Sequence, residues 1–464
     1  MGARVDDQQT AFVETFRRFM DELILAPRPL ADARTPLGDL VQDFLQTDIT
    51  ILPMVTEDLA THRLVDADIA LDELNAASAS SVFGVTGGQQ REHSSFQELI
   101  SSPFLRFAPG PVDYVSAATG PDTERRVVSF GVRLLTVDGH RVAVLQRGAR
   151  PEFGRGSARL EILAADEAGS AALLGALRRL MLERSVLRGQ VLSFSGNEFG
   201  PGAAGVDFLP RPHVPSDEII LPPGVLGDVA RHVVGIGKHR DALRAAGRHL
   251  KRGVLLYGPP GSGKTLTVRH LLSETPGITA VVLAGDSIRF VTQAAELARA
   301  MQPAIVVLED VDLIAADRSL SVGPQPLLFA MLDALDGLDG DADVAFVLTT
   351  NRVEVLEQAL ADRPGRIDLA VEIPLPDAAA RHRLFTLYAG GIPLSPQAIT
   401  DAASRADGVT GAFAKELMRR TVLLAAEQGR PPTDFDLATA MDTLLSTRDK
   451  LTRRLLGTEG SATH

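Results

Sequence analysis

GVLLYGPPGSGKTLTVRHLLSE, residues 253–274, is the stretch whose reading decides the fold. A short apolar run (Gly253–Tyr257) leads into a glycine-rich octet, Gly258–Thr265, and then into a helix-forming segment. The octet satisfies G-x-x-x-x-G-K-[ST] in the context that gives the motif meaning, after a strand and before a helix. Gly258, Pro259, Pro260, Gly261, Ser262 and Gly263 form a loop whose N–H groups can turn inward and cradle phosphate oxygens at a helix N-terminus. Lys264 is expected to reach the β- and γ-phosphates, and the Thr265 hydroxyl to sit on Mg²⁺.

Downstream of the loop the same pattern repeats. TAVVLAG (279–285), AIVVLED (304–310) and DVAFVLTTN (343–351) are short, β-branched and apolar. Such runs, alternating with helical segments, predict a parallel sheet buried on both faces. The run at 304–310 ends in two adjacent acids, Glu309 and Asp310. A strand ending in paired carboxylates can put one beside a metal and the other beside an attacking water.

The domain reading follows from these shifts of pattern. Residues 216–376 form a large α/β nucleotide-binding part, and 377–450 a helical part broken near Gly390-Gly391, Gly408 and Pro431-Pro432. A tail covers 451–464. Residues 1–215 read as an α+β accessory or substrate-recognition domain. Within it an amphipathic helix is expected over Asp7–Leu25, carrying Phe12, Val13, Phe16, Phe19 and Met20. RRVVSFGVRLLTV and HRVAVLQRG flank Asp138-Gly139, a hairpin signal. ARLEILAAD reads as another strand, and Ala171–Leu187 as a helix.

Composition narrows the class. Charged residues are 23% and hydrophobic residues 45% of 464, ordinary for a globular protein. With no cysteine, neither a disulfide framework nor a thiolate metal site is available. The net charge of −12 argues against nucleic acid as the main partner. No apolar run approaches the roughly 20 residues of a membrane span. The start, MGARVDDQQT, lacks the pattern of a signal peptide, so a cytoplasmic protein is the expectation. One basic run, Lys238, Arg240, Arg244, Arg248, Lys251 and Arg252, lies just upstream of the loop. Arg244, Arg248 and Lys251 would share a helix face there, solvated or touching a neighbour. His232, His239 and His249 lack paired-ligand spacing, and no H-E-x-x-H occurs.

GPPGSGKT, VVLEDVD (306–312), LDALDGL (332–338), LTTN (348–351), RPGRID (363–368) and GVTGAFAKEL (408–417) stand in the order and spacing of AAA ATPases. Over roughly its C-terminal half the chain resembles that family. In motif details, including the Glu-Asp order, it looks most like the branch containing the mitochondrial Rieske-protein chaperone. Residues 1–215 carry no such resemblance.

The resemblance implies roles. Glu309 takes the metal position and Asp310 the water-polarising one, each one methylene off the length most members carry. Asn351 matches the first sensor, between the acids and the γ-phosphate. Arg363 and Arg366 match arginine fingers that reach a neighbouring subunit's site. Gly411 and Ala412 match lid residues near ribose and base, with Lys415 one turn along. The family's cofactors are ATP and Mg²⁺, and trans-acting fingers imply a homo-oligomeric ring, usually a hexamer. The implied function is ATP hydrolysis coupled to remodelling of a protein client, which the sequence does not name. A slowly hydrolysing, nucleotide-gated scaffold is the alternative, and a nucleic-acid remodeller is disfavoured by charge. The first pore loop departs from threading relatives. Only Asp286–Phe290 separate strand from helix, and Phe290 reads better as a packed aromatic than as a pore tip.

Overall fold

In the computed structural model, the described residues are 12, 14–20, 34–76, 81–196, 204–312, 341–354 and 367–446. They form two compact units: residues 34–117 with 125–184, and residues 185–446 with the short segment 118–124. No helix among the described residues is long and apolar enough to cross a membrane.

The first unit is built on a seven-stranded sheet. Its strands are β1 (Met54–Leu59), β2 (Ser81–Val85), β3 (Pro109–Gly110), β4 (Asp113–Ala118), β5 (Glu124–Val137), β6 (His140–Arg147) and β7 (Ala158–Ala164). The order is β1-β7-β6-β5-β2-β3, with β4 on β5. The expected hairpin is present: β5 and β6 pair antiparallel from Phe130–Arg147 to Val137–His140 around Asp138-Gly139. Alternation gives the sheet two apolar faces. Val132, Leu134 and Leu145 meet α1 (Pro36–Leu45) on one face. On the other, Leu135, Val142 and Val144 meet α2 (Leu64–Ala76) and α3 (Glu167–Glu183). Helix α3 starts earlier than the apolar spacing suggested, because the Asp166 carboxylate caps the N–H of Gly169 at 2.7 Å. Of the helix expected at Asp7–Leu25, Phe12 and residues 14–20 are helical. Its other residues lie outside the described ones.

The second unit also has seven strands: β8 (Val191–Gly196), β9 (Ala204–Leu209), β10 (Arg252–Tyr257), β11 (Thr279–Ala284), β12 (Ala304–Glu309), β13 (Val344–Thr350) and β14 (Leu369–Glu372). Their order is β14-β10-β13-β12-β11-β8-β9. All neighbours are parallel except β8 and β9. Every second residue faces the same core. Val254, Leu256, Ile305 and Val347 pack with α4 (Lys264–Ser273). Leu255, Val306, Phe346 and Leu348 pack with α5 (Val291–Ala300).

The domain limit differs from the sequence reading. Strands β8 and β9, read as part of a 1–215 domain, belong to this sheet, and the unit begins at Ser185. The reason is burial: Val191 joins one core of the sheet while Leu187, Leu192 and Phe194 join the other. Both strands lie upstream of any phosphate-directed motif, which is why pattern alone did not join them to it.

The helical part comprises α6 (Ala378–Ala389), α7 (Pro396–Arg405), α8 (Gly411–Glu427) and α9 (Asp434–Leu445). Side chains at Asp377, Ser395 and Thr410 cap the first three, and a Thr433/Asp436 capping box opens the fourth. Phe385, Phe413, Leu417, Leu437 and Met441 form their common core.

Candidate nucleotide site

Strand β10 runs in the middle of parallel neighbours β13 and β14, so its C-terminal end opens where α4 begins. The loop from Gly258 to Gly263 must turn sharply there. Gly258 has φ +144°, and a Cβ would stand 2.2 Å from the Ile373 carbonyl oxygen. Gly261 has φ +76°, and a Cβ would press on Ala412 and Thr410 at 2.9 and 3.0 Å. Both positions therefore demand glycine, by backbone conformation and by space.

The loop forms one wall of a cleft of about 390 Å³. Pro260, Gly261, Ser262, Gly263, Lys264 and Thr265 line it, as do Asp310 and Asn351 from the strand ends and Gly411, Ala412 and Lys415 from α8. The Ala412 N–H donates to the Gly261 carbonyl at 3.4 Å, tying the helical part to the loop. Thus the predicted residues 260–265, 310, 351, 411 and 412 line one cleft, with Glu309 beside Thr265 next to it. Pro259 enters through its carbonyl, described next. Arg363 and Arg366, read as fingers, lie outside the described residues, as does LDALDGL.

The electrostatics of the cleft are unusual for an interior. Lys264 is only 5% exposed, and its ammonium donates to the carbonyls of Gly258 and Pro259 at 2.8 and 2.9 Å. Burial pushes its pKa down, against the pull of Asp310 and Asp312. Burial pushes the Glu309 carboxyl up, and the neighbouring charge of Asp310 adds to this. Arg269, on α4, and a hydrogen bond from the Thr265 hydroxyl act in the opposite sense. A cation leaning on carbonyls and a carboxylate reluctant to ionise are both groups that an anion and a cation, respectively, would relieve.

Asp310 adopts φ +51°, which is uncommon for a residue with a side chain. Its N–H donates to the Thr349 hydroxyl at 3.0 Å, and its carboxylate accepts from the Asn351 amide at 3.2 Å. An ionised carboxylate can only accept, so the amide presents its nitrogen. The sequence reading missed several cleft residues. Ile219–Leu221 with Leu384 and Tyr388 line it, the last with its hydroxyl pKa raised by burial and then by Glu218. Their signal was weak, since apolar residues flanking a helix read as core.

Other expectations fare differently. Residues Gly285–Phe290 form a short 3₁₀ helix of two turns leading into α5. The Phe290 ring stacks on Phe194 of β8 at 5.7 Å, and the Arg289 guanidinium sits 4.9 Å over it, so it packs as expected. The basic run does not form one helix face. The helix holding Arg244 ends at Ala245, before Arg248 and Lys251. Arg252 is buried, paired with Asp343 at 2.8 Å and donating to the Val233 and Leu250 carbonyls.

A largely parallel sheet with a glycine loop between strand β10 and a helix, and an acid pair on the strand beyond its neighbour, defines a P-loop nucleotide-binding protein. Residues 254–375 match the family model described as ATPase family associated with various cellular activities (AAA). The proteasome-activating nucleotidase of Saccharolobus solfataricus is 29% identical over 266 residues, covering 53% of this chain and 66% of that protein. That of Sulfurisphaera tokodaii is 30% identical over 279 residues, covering 54% and 71%. The human ATPase family gene 2 protein homolog A is 33% identical over 205 residues, 41% of this chain and 23% of that protein. The chain belongs to the AAA family of ATPases. It spans 52% to 71% of the length of the archaeal relatives it matches and 23% of the human one.

Proposed function

We propose that the protein binds Mg·ATP in this cleft and hydrolyses it to ADP and phosphate, as a homo-oligomeric ring that remodels a protein client. The observation that carries the reading is the buried, carbonyl-bound Lys264 sharing one cleft with Asp310 and Asn351. Lys264 and the loop N–H groups would hold the β- and γ-phosphates. Thr265 and Glu309 are neighbouring hard oxygen donors, and suit Mg²⁺. That ion would neutralise charge on the phosphate oxygens. Asp310, oriented by Asn351, would accept a proton from water as the water oxygen bonds to the γ-phosphorus. The bond to the bridging oxygen breaks, and its electron pair leaves with ADP. Gly411 and Ala412 would border the nucleoside.

The ring is proposed because Arg363 and Arg366 match fingers that act on a neighbour's site. The names of the archaeal relatives support a protein client. The sequence expectations favour a cytoplasmic setting, and the net charge disfavours nucleic acid.

A mixing experiment tests both halves. Lys264→Ala alone should lose tight binding of a fluorescent ATP analogue, and Arg366→Ala alone should keep it while losing most turnover. Mixed rings, verified by mass photometry, should regain part of the phosphate release, because some interfaces pair an intact loop with an intact finger. Unchanged ATP affinity in Lys264→Ala would remove that residue from the site. Mixed rings without recovery would end the trans-finger reading.

A further inference from the structure

A third carboxylate stands just beyond the acid pair. Asp312 is 6% exposed, and its Oδ1 accepts from the Thr350 hydroxyl at 2.9 Å and from the Asn351 N–H at 3.0 Å. Both Thr349 and Thr350 are fully buried. Successive side chains on a strand point to opposite sides, so these two threonines at the end of β13 reach different partners. Thr349 accepts the Asp310 N–H with its hydroxyl, and its carbonyl accepts the Val311 N–H at 3.0 Å. Thr350 donates to Asp312. The result is a clasp between the ends of β12 and β13. It fixes the backbone at Asp310, where φ is positive, and the backbone at Asn351, whose amide then meets the Asp310 carboxylate.

Burying a carboxylate is costly unless hydrogen bonds compensate it. A valine at 312 would fill much the same space without that cost, but it would give the Asn351 N–H and the Thr350 hydroxyl nothing to meet. Asp312 is also one of the two acids acting on Lys264.

We infer that Asp312 is a positioning residue for hydrolysis: it fixes the Asn351 backbone so that the Asn351 amide holds Asp310 toward the attacking water. The inference rests on the hydrolase reading of the same cleft. Asp312 is not among the residues lining the cleft and acts through Asn351, which makes its effect on rate conditional on that residue.

A double-mutant cycle on the full chain decides the matter, with single-turnover phosphate release at saturating Mg·ATP and, separately, affinity for a fluorescent ATP analogue. Asp312→Ala should slow release ~10-fold or more while affinity changes no more than ~3-fold, since misplacing a reacting group acts on the chemical step. Asp312→Asn keeps an acceptor oxygen and should recover most of the rate. In an Asn351→Ala background, Asp312→Ala should cost less than ~2-fold further. Thr350→Val, which retains shape and removes one donor, should show a smaller loss in the same step. If Asp312→Ala does not fold, Thr350→Val replaces it in the cycle. Multiplicative losses, or a loss in affinity equal to the loss in rate, would overturn the inference. Normal wild-type turnover with such losses overturns this inference alone. Absence of wild-type phosphate release overturns the hydrolase reading with it.

Discussion

The two units bury charge in opposite ways. In the first, the buried groups neutralise one another. Arg133, 1% exposed, donates to Asp68 at 2.6 Å, Asp72 at 2.5 Å and Gln146 at 3.0 Å. Asp68 and Asp72 lie one turn apart on α2, so one helix face straddles the guanidinium. Arg147 pairs with Glu161 at 3.0 Å and Arg155 with Glu92 at 2.8 Å. In the second unit Arg252 and Asp343 make one such pair, but the groups at the end of the sheet do not. Among the described residues no carboxylate lies within ion-pair distance of Lys264. Glu309 and Asp310 crowd one another. A fold tolerates such an arrangement where something else completes it. The contrast separates charge that specifies structure from charge kept for a ligand.

The comparison can be broken at either end. The largest stability effect is expected in the first unit. Arg133→Met leaves the buried Asp68 with only the part-exposed Arg125, at 3.7 Å, as a cation and should destabilise by about 3 kcal/mol. Denaturant unfolding reads that loss, and ATP affinity measured on the folded fraction should not change. A near-neutral result would mean the network is not a structural one. A smaller effect of opposite sign is expected at Glu309. Its folded pKa is raised, so the folded state binds a proton more tightly than the unfolded one. Ionising it therefore costs stability in full above the folded pKa, and the cost declines as pH falls through the window between the two pKa values, vanishing below the unfolded one. Glu309→Gln should thus raise Tm of the ligand-free protein near pH 8, narrow that gain toward acid pH, and weaken the Mg²⁺ dependence of turnover. A lower Tm at pH 8 would place Glu309 among the satisfied charges instead.

Most of the second unit was legible because its strands are buried on both faces and read as unbroken apolar runs, punctuated by a loop of invariant chemical logic. The helical part was legible through its breakers: the helices stop beside Gly390-Gly391, Gly408 and Pro431-Pro432. The hairpin at Asp138-Gly139 was equally plain. Strands β8 and β9 were not, because VLSFSG and AGVDFL are short, and their membership depends on parallel pairing of Val191 with Ala280 and Leu192 with Val281, far along the chain. Within the site, the loop and the acid pair announced themselves by their motifs, and Asn351 by its match to the AAA family pattern. Asp312 was present in the quoted VVLEDVD but had no assigned role, because its meaning comes from hydrogen bonds to another strand. Tyr388 and Ile219–Leu221 were invisible as cleft residues for the same reason.

The measurement that bears most directly on the central claim is the split between binding and turnover in Asp310→Asn. The side chain keeps its shape and its place beside Asn351 but loses the ability to take a proton from water. Affinity for a fluorescent ATP analogue should stay within ~3-fold of wild type while single-turnover phosphate release falls at least ~10²-fold, the usual scale for losing a water-activating group. Unchanged phosphate release, or a fall in affinity that accounts for the lost rate, would contradict the assignment of Asp310 and with it the account of why this end of the sheet keeps its charges unpaired.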